Sequence, residues 1–131
     1  MKTIRRTTEL PYEGDVFIYG AGKGGEIIRD ILAARPAVRV LGFIDTNKSG
    51  TLGSLPIHKF SEFAQQDRAY DLVLIASMYY ADISRQLKAA GITRVMNAYT
   101  VCHDQIAARR QVLRAWIGAA FIAALAAALL A

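Results

Sequence analysis

Val16-Phe17-Ile18-Tyr19-Gly20-Ala21-Gly22-Lys23-Gly24-Gly25 is the stretch that decides the fold, with Glu26-Ile27-Ile28-Arg29-Asp30-Ile31-Leu32 directly behind it. An apolar run gives way to glycines at 20, 22 and 25 and then to residues with helical periodicity. This is G-x-G-x-x-G with a strand before it and a helix after it, the context that gives the spacing meaning. The three glycines have different roles: a tight turn, close backbone approach to a phosphate, and close packing of helix on strand. The helix start behind them presents free N–H groups and the positive end of a dipole, an anion site built from backbone. Twenty residues past Gly25, the apolar run Val38 to Ile44 ends in Asp45. An acidic residue at the tip of the second strand is placed to hold a nucleotide ribose. Asp45 has a local reading as well, capping the turn with Thr46 and Asn47. Lys23 likewise reads either as a phosphate contact or as a solvated side chain.

Outward from this stretch, strand and helix alternate. Residues 1–13 are mixed polar and charged and read as a lead-in, followed by a domain over 14–99. Its first strand is about 15–20 and its first helix about 23–35, stopping before Pro36. The second strand is about 38–45. Thr46 to Leu55, with Gly50 and Gly53, reads as a loop, and Pro56-Ile57-His58 as a short edge strand. A short helix over Phe60 to Gln66 has Ser61 as its cap. Asp71 to Ala76 is a further long strand, as apolar as the second, the mark of strands covered on both faces in a parallel sheet. Ser77-Met78-Tyr79-Tyr80 leads into a helix ending at Gly91, in which Tyr80, Ile83, Leu87 and Ala90 share a face and Asp82, Arg85, Gln86 and Lys88 face water. Arg94 to Asn97 is the last strand. The expectation is an α/β fold: a three-layer parallel sheet of about five strands in the order 3-2-1-4-5 with right-handed crossovers. The topological switch point then lies between the first and fourth strands, facing the glycine loop and Ser77 to Tyr80. The candidate binding residues are Gly20, Ala21, Gly22, Lys23, Gly24, Gly25, Asp45, Thr46, Ser77 and Tyr79.

Residues 100–131 read as a C-terminal helix of another character. Ala115 to Ala131 holds no charged or strongly polar residue, and 112–131 approaches the ~20 residues a spanning helix needs. Arg109, Arg110 and Arg114 stand ahead of it, as on a cytoplasmic side, with Trp116 at interface position. Ala115, Ala119, Ala123, Ala127 and Ala131 recur every four residues, a stripe suited to close packing in lipid. The alternative is an alanine-rich helix buried against the sheet or a second copy of the chain.

Other features narrow the function. The net charge of +5 is spread over Arg5-Arg6, the middle of the chain and Arg109 to Arg114; no run joins basic to aromatic residues, which argues against nucleic acid. A single cysteine, Cys102, allows no internal disulfide and fits a reducing compartment. The charges at Lys2, Arg5 and Arg6 have no apolar run after them, unlike a secretory signal. Cys102-His103-Asp104 has no second ligand cluster to complete a metal shell; the three read as the first turn of the last helix, with Thr100 as its cap. Four residues after Tyr79 stands Ile83, and after Tyr80, Ser84, so no Tyr-x-x-x-Lys pair is present; packing and the pocket rim are the reading for both tyrosines.

Ile18-Tyr19-Gly20-Ala21-Gly22, Gly42-Phe43-Ile44-Asp45, Leu55-Pro56-Ile57 and Asp71 to Ser77 with Leu87 to Gly91 resemble a bacterial family. It comprises the Rossmann-like nucleotide-binding modules at the front of sugar-nucleotide acetyltransferases and beside polysaccharide-biosynthesis dehydratases and transferases. The similarity covers about residues 14–98. It implies a UDP-sugar or NAD as ligand, with Gly20, Ala21, Gly22, Lys23 and Asp45 at the nucleotide. The left-handed β-helix acetyltransferase domain of one branch is absent, and the membrane helices of the dehydratase branch precede the module rather than follow it. The expectation is a nucleotide-binding module of surface polysaccharide or glycan synthesis without catalysis of its own. It is tethered to the cytoplasmic face of a bacterial inner membrane, or lies free in the cytoplasm. It works as a homo-oligomer or with a glycan-biosynthesis enzyme. The alternatives are a small NAD-dependent oxidoreductase or epimerase, or an interaction module with a decayed pocket.

Overall fold

A computed structural model describes residues 1–130. The elements in chain order are β1 (Lys2–Thr3), β2 (Gly14–Tyr19), α1 (Lys23–Ala33), β3 (Val38–Asp45), β4 (Gly50–Leu52), β5 (Leu55–Lys59), α2 (Phe60–Phe63), β6 (Leu72–Ile75), α3 (Tyr80–Ala89), β7 (Val95–Asn97) and α4 (Tyr99–Leu130). A single 3₁₀ turn, Thr7–Glu9, lies between β1 and β2.

The strands form one sheet in the order β1-β7-β6-β2-β3-β5-β4. All neighbours run parallel except β4 and β5. The expected count of about five and the order 3-2-1-4-5 are therefore corrected. The sheet has seven strands, because a short strand is added at each edge of the run β5-β3-β2-β6-β7. At one edge the expected lead-in is part of the fold. Lys2 and Thr3 pair with Met96 and Asn97, and Ile4 and Leu10 are 0 % and 1 % exposed. Arg35 holds this segment from the end of α1, donating to the carbonyls of Thr7, Leu10 and Pro11 at 2.7–3.0 Å. At the other edge, the expected loop contains β4, which turns through Gly53-Ser54 onto β5. Gly53 has φ +62°, as a two-residue hairpin turn requires. Pro56 to His58 is thus not at an edge.

The strands bury both faces because successive side chains alternate. Val16, Ile18, Phe43 and Leu74 face one way and pack with Ile28 and Leu32 of α1 and Val101 and Cys102 of α4. Phe17, Tyr19, Ile44, Val73 and Ile75 face the other way, against Phe63 of α2 and Ile83 and Leu87 of α3. Two helix starts differ from expectation. Chain leaves β5 extended at Lys59 and enters α2 at once, so Ser61 lies inside the helix and does not cap it. α4 begins at Tyr99, whose N–H donates to Asn97 Oδ1 at 3.0 Å; Thr100 is a helical residue, and Asn97, 2 % exposed, does the capping.

Only the beginning of α4 belongs to this body. Its 32 residues extend about 48 Å at 1.5 Å each. An 18-residue window has mean hydropathy 2.0 and none of it is buried, so by length and composition the helix is able to cross a membrane. Trp116, Ile117, Phe121, Ile122, Leu125, Leu129 and Leu130 are all more than half exposed. Water would meet an apolar surface on every side of it, which a lone soluble helix does not tolerate.

Candidate functional site

β2 and β6 lie side by side, and the chain departs from their C-terminal ends in opposite directions across the sheet. A cavity of about 540 Å³ opens there, within the 300–1,000 Å³ typical of small-molecule sites. The glycine loop forms its floor. Gly20 turns out of β2 with φ +116°, its N–H donating to the Ile44 carbonyl at 2.8 Å. A side chain there would be strained and would meet the Ala76 carbonyl oxygen at 3.1 Å. Gly22 is the N-cap of α1, and no side chain caps that helix end. A Cβ at Gly22 would find no atom within 4 Å. Backbone N–H groups of the first turn lack carbonyls one turn earlier, so they are available to a ligand in the cavity.

The expected site residues Gly20, Ala21, Gly22, Lys23, Gly24, Asp45, Thr46, Ser77 and Tyr79 all line this cavity. Gly25 does not. It is buried under the loop, where α1 approaches β2 so closely that a Cβ would lie 1.9 Å from the Gly20 oxygen. Gly24 is nearly as confined, 2.7 Å from the Ala76 oxygen and 3.3 Å from Cys102.

Asp45 is tied into the protein. Its Oδ2 accepts from Ala21 N–H at 3.0 Å, and its Oδ1 accepts from Asn47 and Lys48 N–H at 2.9 Å each. The carboxylate therefore clamps the β3 turn to the glycine loop, the local reading with Lys48 and Ala21 added and Thr46 engaged elsewhere. A carboxylate has about four lone-pair positions, so one is left for a ligand. Burial pushes this carboxyl up, but donation from Lys48, Ala21 and Asn47 and the charge of Lys48 outweigh it and hold the pKa below the ordinary value. Lys48 also reaches across the cavity, its Nζ donating to the Ala21 carbonyl at 3.2 Å. Tyr19 OH and Thr46 Oγ1 are 2.9 Å apart. Burial and, less strongly, the Asp45 charge raise the Tyr19 phenol above its ordinary pKa, against a lowering by Thr46; the phenol stays protonated at neutral pH. On the opposite wall Ser77 Oγ accepts from Tyr79 N–H at 3.2 Å, and the Tyr79 side chain stands 66 % exposed at the rim.

Sequence reading missed Lys48, Asp82, Gln86 and Tyr99 as lining residues. Lys48 stands three residues after Asp45, the spacing of a side-chain-to-backbone turn, which was a usable signal. Asp82 and Gln86 lie on the solvent face of α3 and line the cavity only because α3 begins beside the glycine loop. Tyr99 gave no signal; it arrives from the start of α4 and stacks on Tyr80 at a centroid distance of 6.0 Å. Cys102 is fully buried, its Sγ 3.3 Å from the Ala98 carbonyl and 3.5 Å from that of Gly24. Burial pushes its thiol pKa up to about 12, so it packs as a small apolar group. His103 and Asp104 are exposed neighbours, 3.6 Å apart, and among the described residues no three His, Cys, Asp or Glu groups converge as metal ligands.

Residues 12–96 match the model of the C2185-like N-terminal domain family. The chain belongs to that family. The C2185-like domain holds the whole sheet apart from β1 and the last residue of β7, and every lining residue of the cavity except Tyr99. No curated protein matches the chain.

The clamp leads to a direct prediction. Asp45→Ala leaves three backbone donors without their charged acceptor, and with water replacing part of the loss it should lower the unfolding free energy by about 1–2 kcal/mol. Its folded pKa is depressed, so the stabilisation is complete above the unfolded value near 3.8 and disappears as pH falls through the lower folded value. Denaturation of the full chain in detergent at pH 7 and at pH 3 checks this. The difference between wild type and Asp45→Ala should shrink at the acid end. An equal difference at both values would show that the charge is not what holds the loop.

Proposed function

We propose that the chain is a Rossmann-like nucleotide-binding module, held at the cytoplasmic face of a bacterial membrane by α4, that takes a nucleotide-sugar in surface polysaccharide or glycan synthesis. The observation that carries the reading is the cavity at the switch point, where an uncapped helix start and an open Gly22 face Lys23 and Lys48. A diphosphate is the ligand suited to this floor: it accepts from the backbone N–H groups, gains from the helix dipole and from two ammonium groups, and needs the space a Cβ at Gly22 would take. The remaining lone pair of Asp45 suits one ribose hydroxyl. NAD is the second choice, because a full dinucleotide fold uses two mononucleotide halves and this sheet provides one half and part of another.

Partition and ligand tests are separate. A thermal-shift panel of UDP, UDP-sugars, NAD, NADP and coenzyme A, run on the full chain, identifies the ligand. At about 100 times its dissociation constant a binder should add roughly 2.7 kcal/mol. Gly22→Val should abolish that gain. The backbone at Gly22, φ −118° and ψ −156°, is open to valine, and the new Cβ meets no protein atom within 4 Å, so the variant should unfold as wild type does without ligand. Nucleotide stabilisation that survives Gly22→Val would mean that the glycine loop is only a turn. Conversion of a UDP-hexose by the purified chain, with NAD present, would move the reading to an epimerase or oxidoreductase.

A further inference from the structure

Ile106, Arg109, Arg110 and Leu113 follow the spacing i, i+3, i+4, i+7 and so share one face of α4. That face turns toward the start of α1, and with Lys23 it encloses a second cavity of about 350 Å³. Three cations and two apolar side chains line it, with no carboxylate. Among the described residues none of the three cations is in an ion pair. Like charges gathered without a counter-charge repel one another, so the arrangement favours an anion between them. Position identifies the anion's source. Leu113 is three residues before Trp116, about 4.5 Å along the axis, where the apolar stretch begins; with α4 in a bilayer, Arg109 and Arg110 stand at headgroup level and Leu113 beside the glycerol and upper acyl chain, while Ile106 closes the groove about 4.5 Å farther out.

We propose that this groove binds the phosphate of an anionic membrane phospholipid, held by Lys23, Arg109 and Arg110. The proposal rests on α4 lying in the membrane and is independent of what the nucleotide cavity takes. Lys23 lines both cavities, so the lipid phosphate sits next to the glycine loop and shares its lysine. Arg114 is the internal control: it also precedes the apolar stretch but does not line the groove, so diffuse attraction to an anionic surface depends on it as much as on its neighbours.

The test uses the full chain in dodecyl maltoside, titrated with short-chain phosphatidylglycerol, phosphatidylcholine or inorganic phosphate, with bound lipid counted by native mass spectrometry. Phosphatidylglycerol should saturate at one per chain. Arg109→Gln/Arg110→Gln should weaken it roughly tenfold to thirtyfold, while Arg114→Gln should stay within about twofold of wild type. The double variant should keep the wild-type unfolding temperature without lipid, since both arginines are exposed, and should keep any nucleotide stabilisation, which separates failure here from failure of the nucleotide reading. The proposal is overturned if Arg114→Gln weakens binding as much as the double variant, if phosphatidylcholine binds equally, or if inorganic phosphate displaces the lipid at the same concentration. It also falls if the chain fractionates as a soluble protein without detergent.

Discussion

Gly25→Ala should destabilise the fold by about 3 kcal/mol or more, because an added Cβ is more crowded there than at any other glycine of the chain. The added Cβ would stand 1.9 Å from the Gly20 carbonyl oxygen, 3.1 Å from its carbon and 3.2 Å from Phe43 Cε1. None of these can give way cheaply. Gly20 is held by its turn and by its N–H bond to Ile44, and Phe43 is fully buried. Relief requires α1 to lift from β2, which opens the core around Ile28 and Leu32. Gly22→Ala, three residues away, provides the contrast: with open space and an ordinary backbone it should change stability by less than about 0.5 kcal/mol. Urea denaturation of both variants, followed by far-ultraviolet circular dichroism, reads the difference. Near-equal stabilities would mean that the close approach of helix and strand is not maintained in solution.

Ala123→Arg should release the chain from the membrane. Ala123 lies in the exposed apolar part of α4, and an arginine at the centre of a spanning helix costs about 2.5–3.5 kcal/mol on insertion scales. Alanine itself contributes little to insertion, so the span has small reserve and the charge should tip it. Fractionation of cells expressing each form measures the shift, with most wild-type chain pelleting and most variant chain in the supernatant. Soluble wild-type chain in an oligomer that Ala123→Arg dissociates would make α4 an assembly element. Soluble monomeric wild-type chain would remove both the tether and the lipid groove.

Much of this architecture was legible in the sequence because the signals are local. β2, β3 and β6 are continuous apolar runs, and α1 and α3 carry their buried residues at helical spacing, so each element declares itself within about ten residues. The glycine spacing named a tight turn, a close approach to a phosphate and a packing position; Gly20 has the turn and Gly25 the packing, and the space beside Gly22 is open. The apolar character of α4 depends on composition alone and needs no partner to be read.

Tertiary structure decided the remainder. β1 and β4 are two and three residues long, too short for any periodic pattern, and they are strands only because β7 and β5 offer free edges. Ser61 and Thr100 have the chemistry of caps, but a cap acts only where the backbone is still extended, and the helices had already begun at Phe60 and Tyr99. Asp45 is tied to Ala21, 24 residues away, and Gly24 is confined by Cys102, 78 residues away; no window along the chain contains either pair. The groove of Lys23 with Arg109 and Arg110 arises in the same way. Its charges were visible as a run before the span, but their convergence on Lys23 follows from α4 docking on the start of α1, and only packing sets that angle.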